Sequence, residues 1–323
     1  MPELELRALA PDVYACLQPD RGLGFSNSGL VGRGRGLVVD TFWDLAHTRA
    51  LRSEYERVLK RPPGQLLNTH HNGDHCWGNQ LFPEAEILAH RSCAERFGRE
   101  RPEAMQALRE LVDHPDPALR ALAEALAEWD FRGIELRPPT RVLDGNLELD
   151  LGGRPVHLLH VGPAHTAGDV IAHLPEDGVL FAGDILFRLC TPIGWEGTTE
   201  QWIRALDRIE ALAPEVIVPG HGPLCGVEGV REQRAYLRYV REEAEHFFRA
   251  GLPVLEAARR LDLGPYAGWT EPERVVFNLE RAYRELRGDP WDAPLDVTAL
   301  FRGMFTLRRD PDFPRRGARA ETA

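Results

Sequence analysis

The sequence predicts an α/β protein that ends in a helical extension. Three observations carry this prediction. Between residues 11 and 226, short apolar runs of strand length alternate with helix-patterned segments. Four of those runs end in a short turn bearing histidine or aspartate. Beyond Gly226 the chain turns almost wholly helical.

The elements follow in order. Val13-Tyr14-Ala15-Cys16-Leu17 is a short apolar run, and Gly22, Gly24, Asn27 and Gly29 punctuate what comes next. Gly29–Gly32 and Gly36–Asp40 read as two strands around the turn Arg33-Gly34-Arg35. A helix is predicted from about Leu45 to Leu59, ended by Pro62-Pro63. Gln65–Thr69 and Glu86–His90 read as strands. Residues 92–130, rich in Ala, Leu, Glu and Arg, read as two or three inserted helices broken at Pro102, Pro115 and Pro117. From Arg141 to Val218 the pattern is β, interrupted by one helix from Glu200 to Leu212 with Thr198-Thr199 as its cap. After Gly226, Val230, Leu237, Val240, Ala244 and Phe247 recur at helical spacing and give one apolar face. Further helices are predicted from Val254 to Leu261 and from Pro272 to Leu286. This region reads as a lid, a dimerisation element or a layer covering the sheet. The tail from Arg308 is polar and reads as disordered.

Composition removes several function classes. The 323 residues are 43% hydrophobic and 28% charged, enough for a sizeable core. The formal charge of −11 opposes binding to nucleic-acid phosphates. No apolar run approaches the roughly 18 to 20 residues that span a bilayer. The start, MPELELRALAPDVYACLQ, is acidic where a signal peptide is basic, which points to the cytoplasm. The five cysteines are scattered with no CxxC, so they indicate neither a disulfide framework nor a zinc knuckle.

The chemistry concentrates in four strand-end turns. They are Leu66–His75 with His70, Asn72, Asp74 and His75; Val156–Thr166 with His165; Val179–Asp184; and Val216–Gly222 with His221. Ligands at the ends of neighbouring strands converge on one rim of a sheet. Neutral imidazole with carboxylate suits Zn²⁺, and also Fe or Mn. Two adjoining metals can share a carboxylate and a water, whose pKa falls towards about 7.

On these residues the chain resembles the metallo-β-lactamase-fold hydrolase superfamily, whose signature is HxHxDH followed by His, Asp and His. The matching positions are His70, Asp74, His75, His165, Asp184 and His221. The resemblance implies an αββα four-layer sandwich over about residues 1–226, followed by a helical extension over 227–307 and the tail 308–323. It implies His70 and His165 on a first metal, Asp74, His75 and His221 on a second, and Asp184 bridging them. It also implies that Asp74 orients or deprotonates the attacking water. The second histidine of the motif is Asn72 here. Its oxygen can coordinate more weakly, it can hydrogen-bond a bound water, or the first site can stay empty. One or two zinc ions per chain are therefore expected, with asymmetric occupancy. The neighbouring His71 reads as a support for the ligands more than as a ligand.

Trp43, Trp77 and Trp195 lie near these turns and are candidates to line an apolar pocket, or to pack the loops. Arg188 is a candidate for a substrate carboxylate, or for a loop salt bridge. The resulting expectation is a metal-dependent hydrolase of a small ester, thioester, lactone or amide. The competing readings are an iron-dependent redox enzyme using oxygen or persulfide chemistry, and a non-catalytic member of the fold. The expected partner is a small-molecule substrate, with no nucleic acid and no membrane, and the helical extension is compatible with a homodimer.

Overall fold

The computed structural model describes residues 2–313. The first sheet holds β1 (Glu5–Ala10), β2 (Val13–Leu17), β3 (Ser28–Val31), β4 (Leu37–Val39), β5 (Gln65–Leu67), β6 (Glu86–His90) and β7 (Arg141–Leu143), side by side in chain order. β1 to β4 pair antiparallel, and β4 to β7 pair parallel. The second sheet holds β8 (Leu147–Asp150), β9 (Pro155–His160), β10 (Val170–Leu174), β11 (Val179–Phe187) and β12 (Val216–His221). β8 to β11 run antiparallel, and β12 joins β11 in parallel. The helices are α1 (Leu45–Leu59), α2 (Gly73–Cys76), α3 (Arg91–Arg96), α4 (Pro102–Arg109), α5 (Pro117–Ala125), α6 (Thr199–Ala211), α7 (Val227–Arg249), α8 (Val254–Arg260), α9 (Val275–Arg287) and α10 (Val297–Arg308).

Period-two patterning explains the layers. Side chains alternate across a strand, so Val13, Ala15 and Leu17 of β2 face inward and meet Val156, Leu158 and Phe181 of the second sheet. The opposite face of the first sheet, through Leu30, Val38 and Leu66, packs on Leu51 and Tyr55 of α1. The outer face of the second sheet, through Leu180, Ala182 and Ile217, packs on Trp202, Ile203 and Leu206 of α6 and on Val230 and Leu237 of α7. The outcome is the predicted αββα sandwich. Asp44 caps α1 by accepting from the His47 amide, and Thr198 and Gln201 form a reciprocal capping box on α6.

The helices after Gly226 share one hydrophobic cluster with the second sheet, so they cover it as a further layer. Three elements depart from the sequence reading. β1 was not anticipated, because its polar Glu5-Leu6-Arg7 pattern suits an exposed edge strand. α2 folds inside the ligand motif itself. α10 runs to Arg308 and Phe313 is buried beyond it, so the ordered chain extends past the predicted start of the tail. Residues 314–323, where the rest of that tail lies, are outside the described residues.

Candidate functional site

Strand ends place the ligands. β5 leads directly into the turn carrying His70, Asn72, Asp74 and His75. Asp184 lies within β11 and His221 closes β12, two strands paired in parallel, which brings both side chains to one rim. Asn27 stitches that rim to the first sheet: its side-chain amide donates to the carbonyls of Pro219 (3.0 Å) and Gly222 (2.8 Å). Gly220 is required here, since a Cβ on it would stand 1.9 Å from Asp184 Oδ1.

Two ligand groups converge. His70, His165 and Asp184 form one, and Asp74, His75 and His221 form the other, with the ligand atoms of each within 4.8 Å of one another. Asp184 faces both: Oδ2 is 3.4 Å from His165 Nε2 and 3.2 Å from His221 Nε2, and Oδ1 is 3.0 Å from His75 Nε2. Asp74 Oδ2 is 3.4 Å from His221 Nε2 and 3.7 Å from His75 Nε2.

All four histidines are oriented through Nδ1. His70 meets the Thr69 hydroxyl (2.9 Å), which itself donates to Asp40; His75 meets Asp40 Oδ2 (3.0 Å). His165 meets the Ile193 carbonyl (2.7 Å) and His221 the Phe25 carbonyl (3.0 Å). These partners accept hydrogen bonds, so the neutral ring carries its proton on Nδ1 and turns Nε2 into the site, where it takes up either a second proton or a cation. His70 Nε2 is buried with no hydrogen-bond partner. Inward-facing nitrogens and carboxylate oxygens, one of them orphaned, are the donor set a divalent cation takes, and the residues fit such an ion.

Electrostatics agree. Burial lowers His165 to about 4, and with His75 nearby holds His70 well below the ordinary imidazole value. Burial also opposes charge on His75 and His221, but Asp184 and Asp74 outweigh it. His75 is held well above its ordinary value and His221 is raised to about 9. Against the same burial, His221 and His75 hold Asp184 well below the usual carboxylate range. Protons and a metal cation therefore compete for the same nitrogens.

Above the ligands lies a cavity of about 160 Å³. Asn72, Asp74, His165, Asp184 and His221 form its floor. Trp43 and Trp195 line it, with Met105 and Leu108 of α4, Leu122 of α5 and Phe301 of α10. Trp77 and Arg188 do not. Trp77 is fully buried beneath α2, edge-on to Phe131 at 5.7 Å. Arg188 is held away by an ion pair with Glu232. His71 is buried beside the site but belongs to neither ligand group.

Sequence reasoning missed two further residues. Asp40, at the end of β4, orients His75 and, through Thr69, His70; a carboxylate directly after an apolar strand was the available signal. Glu100 accepts from the Asn72 side-chain amide and from the Gly73 backbone N–H (2.9 Å). It sits in the charged run Gly98-Arg99-Glu100-Arg101, which reads as solvated surface. Burial of its carboxyl pushes Glu100 up to about 7.

A family profile described as the metallo-beta-lactamase superfamily matches residues 21–221. Over 315 residues the chain is 24% identical to a linear primary-alkylsulfatase from Pseudomonas sp., covering 84% of this chain and 58% of that protein. Over 220 residues it is 28% identical to a hydroxyacylglutathione hydrolase from Rhizobium meliloti, covering 67% of this chain and 64% of that protein. The chain thus spans less than two thirds of the length of either relative. Among solved structures, a metallo-beta-lactamase family protein from Thermus thermophilus shares the fold, with a TM-score of 0.64 at 23% identity over 87% of this chain and 95% of that one. The profile covers more than half of the chain and takes in all six motif residues, and this chain belongs to the metallo-beta-lactamase superfamily.

Proposed function

We propose that the chain is a metal-dependent hydrolase, with zinc as its resident ion, that cleaves an ester, thioester, lactone or amide bond in a small molecule bearing an apolar group. The observation that carries this reading is the pair of ligand groups converging at the floor of one largely apolar cavity. One relative is named a hydrolase and the other a sulfatase, which supports hydrolysis as the reaction class and adds sulfate esters to the bonds worth testing.

In this reading His70, Asn72 and His165 hold the first ion, Asp74, His75 and His221 the second, and Asp184 lies between them. A divalent cation on such donors supplies Lewis acidity and makes a water acidic enough to attack at neutral pH. The chain's own groups do the remainder. Asp74 is the less buried of the two carboxylates, faces the cavity, and is placed to accept a hydrogen bond from the attacking water and orient it. Asp40, Thr69 and the carbonyls of Ile193 and Phe25 keep the four rings in the ligating tautomer. Trp43, Leu122 and Phe301 hold the apolar part of the substrate and exclude bulk water.

Metal quantification on protein purified without added metal is the first test. The second is a panel of esters, thioesters, lactones, β-lactams and alkyl sulfates, each with short and long apolar chains. The expected result is turnover of at least one series, abolished by chelation and restored by zinc. Full turnover by protein carrying no metal would sink the reading.

A further inference from the structure

We propose that Glu100 is a positioning residue that pins the side-chain amide of Asn72, so that its oxygen and not its nitrogen faces the first ligand group. The inference rests on the metal-binding reading above. Glu100 lies in the segment between α3 and α4, at the edge of the cavity. One carboxylate oxygen accepts from the Gly73 backbone N–H at 2.9 Å, and the other accepts from Asn72 Nδ2. With Asn72 Nδ2 donating to one oxygen and the Gly73 N–H to the other, the amide turns its NH₂ towards Glu100 and its oxygen away from it.

The other end of the amide then has no freedom. Asn72 Oδ1 stands 3.1 Å from His165 Nε2. The Ile193 carbonyl holds the His165 proton on Nδ1, so Nε2 offers a lone pair. Two lone pairs face each other with no hydrogen between them. Unaided they repel; with a cation between them they are two ligands. Rotating the amide would aim NH₂ at that point and repel the cation. An imidazole at this position would be oriented through its own second nitrogen. An amide has two chemically opposite ends, and here Glu100 tells them apart.

The backbone points the same way. Asn72 is the N-cap of α2, where an asparagine side chain normally accepts from the first-turn amides. It makes no such bond: its amide is turned to Glu100 at one end and to the site at the other, while Glu100 also takes the Gly73 N–H.

The test is calorimetric titration of zinc into the metal-stripped full chain, as wild type, E100Q, N72H and the double variant. Glutamine replaces one of the two accepting oxygens by an NH₂ group, which would face either the Asn72 NH₂ or the Gly73 N–H donor to donor. The wild type is expected to show two binding events of unequal affinity. E100Q weakens one of them by about 10- to 100-fold and leaves the other within about 2-fold. N72H tightens the affected event, and adding E100Q to N72H then shifts it by less than about 3-fold, because the imidazole needs no carboxylate to orient it. Equal losses from E100Q in both backgrounds would make Glu100 a general structural residue and overturn the proposal. So would an E100Q variant that binds zinc as the wild type does. Thermal melts of the metal-free proteins control for folding. If E100Q melts early, E100D carries the test: its shorter carboxylate cannot reach both groups, so the same selective loss, again absent in the N72H background, supports the proposal, and wild-type binding overturns it. A wild type that binds no zinc removes the metal-binding reading and this inference together, whereas unaltered binding in E100Q removes the inference alone.

Discussion

Oδ1 of Asp184 stands 3.0 Å from Nε2 of His75, while the other oxygen of the same carboxylate faces His165 at 3.4 Å. One side chain thus joins the two ligand groups. Asp184→Asn keeps the volume and removes the charge. It should lower activity by more than about 100-fold and reduce bound metal, with the fold intact by circular dichroism. Unchanged activity together with full metal content in this variant would show that the carboxylate does not link the groups.

The pH dependence of the metal-free protein follows from His221. Its value rises from the ordinary 6.5 to about 9 because, despite burial, Asp184 and Asp74 favour the imidazolium. A raised value means that the folded state binds a proton the unfolded chain has released. That stabilisation is complete below 6.5 and disappears as pH climbs through about 9. The melting temperature of metal-free protein should therefore fall between about pH 7 and about pH 10. Zinc-loaded protein should show a flatter profile, since the ion replaces the protons.

Phe301 comes from α10, outside the segment matched by the family profile, yet it lines the cavity and stacks edge-on against Phe277 at 5.3 Å. Phe301→Ala should reduce the preference for a long-chain substrate over its short-chain homologue by about 10-fold in kcat/KM. The short-chain value itself should change little. A uniform loss across chain lengths would mean that α10 contributes rigidity and not selectivity.

Gly220 offers a sharp steric test. A methyl group there would meet Asp184 Oδ1 at 1.9 Å and the Gly183 carbonyl carbon at 2.8 Å. Gly220→Ala should cost about 1–3 kcal/mol of stability and displace Asp184 from the ligand groups, lowering bound metal. Gly145→Ala, where a Cβ meets nothing within 4 Å, is the control and should melt as the wild type does.

The site was legible in the sequence to the extent that it is built from local order. His70, Asp74 and His75 share one turn after β5, and the glycine-flanked Asp184 and His221 sit on parallel neighbouring strands. The sequence left Trp77 open between pocket and packing, and packing won because its side chain turns under α2, a helix that the motif conceals. It left Arg188 open between a substrate and a salt bridge, and the partner that decided it, Glu232, lies on α7, far along the chain.

The α/β class, the helical extension and the order of the ligand turns could be read from residue type and spacing, because strand periodicity and ligand preference act over a few neighbouring residues; the four-layer sandwich came from the family resemblance that those turns carry. The contact of Glu100 with Asn72, the turning of the four Nε2 atoms into the site, and the cavity walls from α4, α5 and α10 emerged only in three dimensions. Each depends on atoms brought together across long loops. Hydrogen-bond direction and packing shape are properties of those meetings, and a linear pattern carries no trace of them.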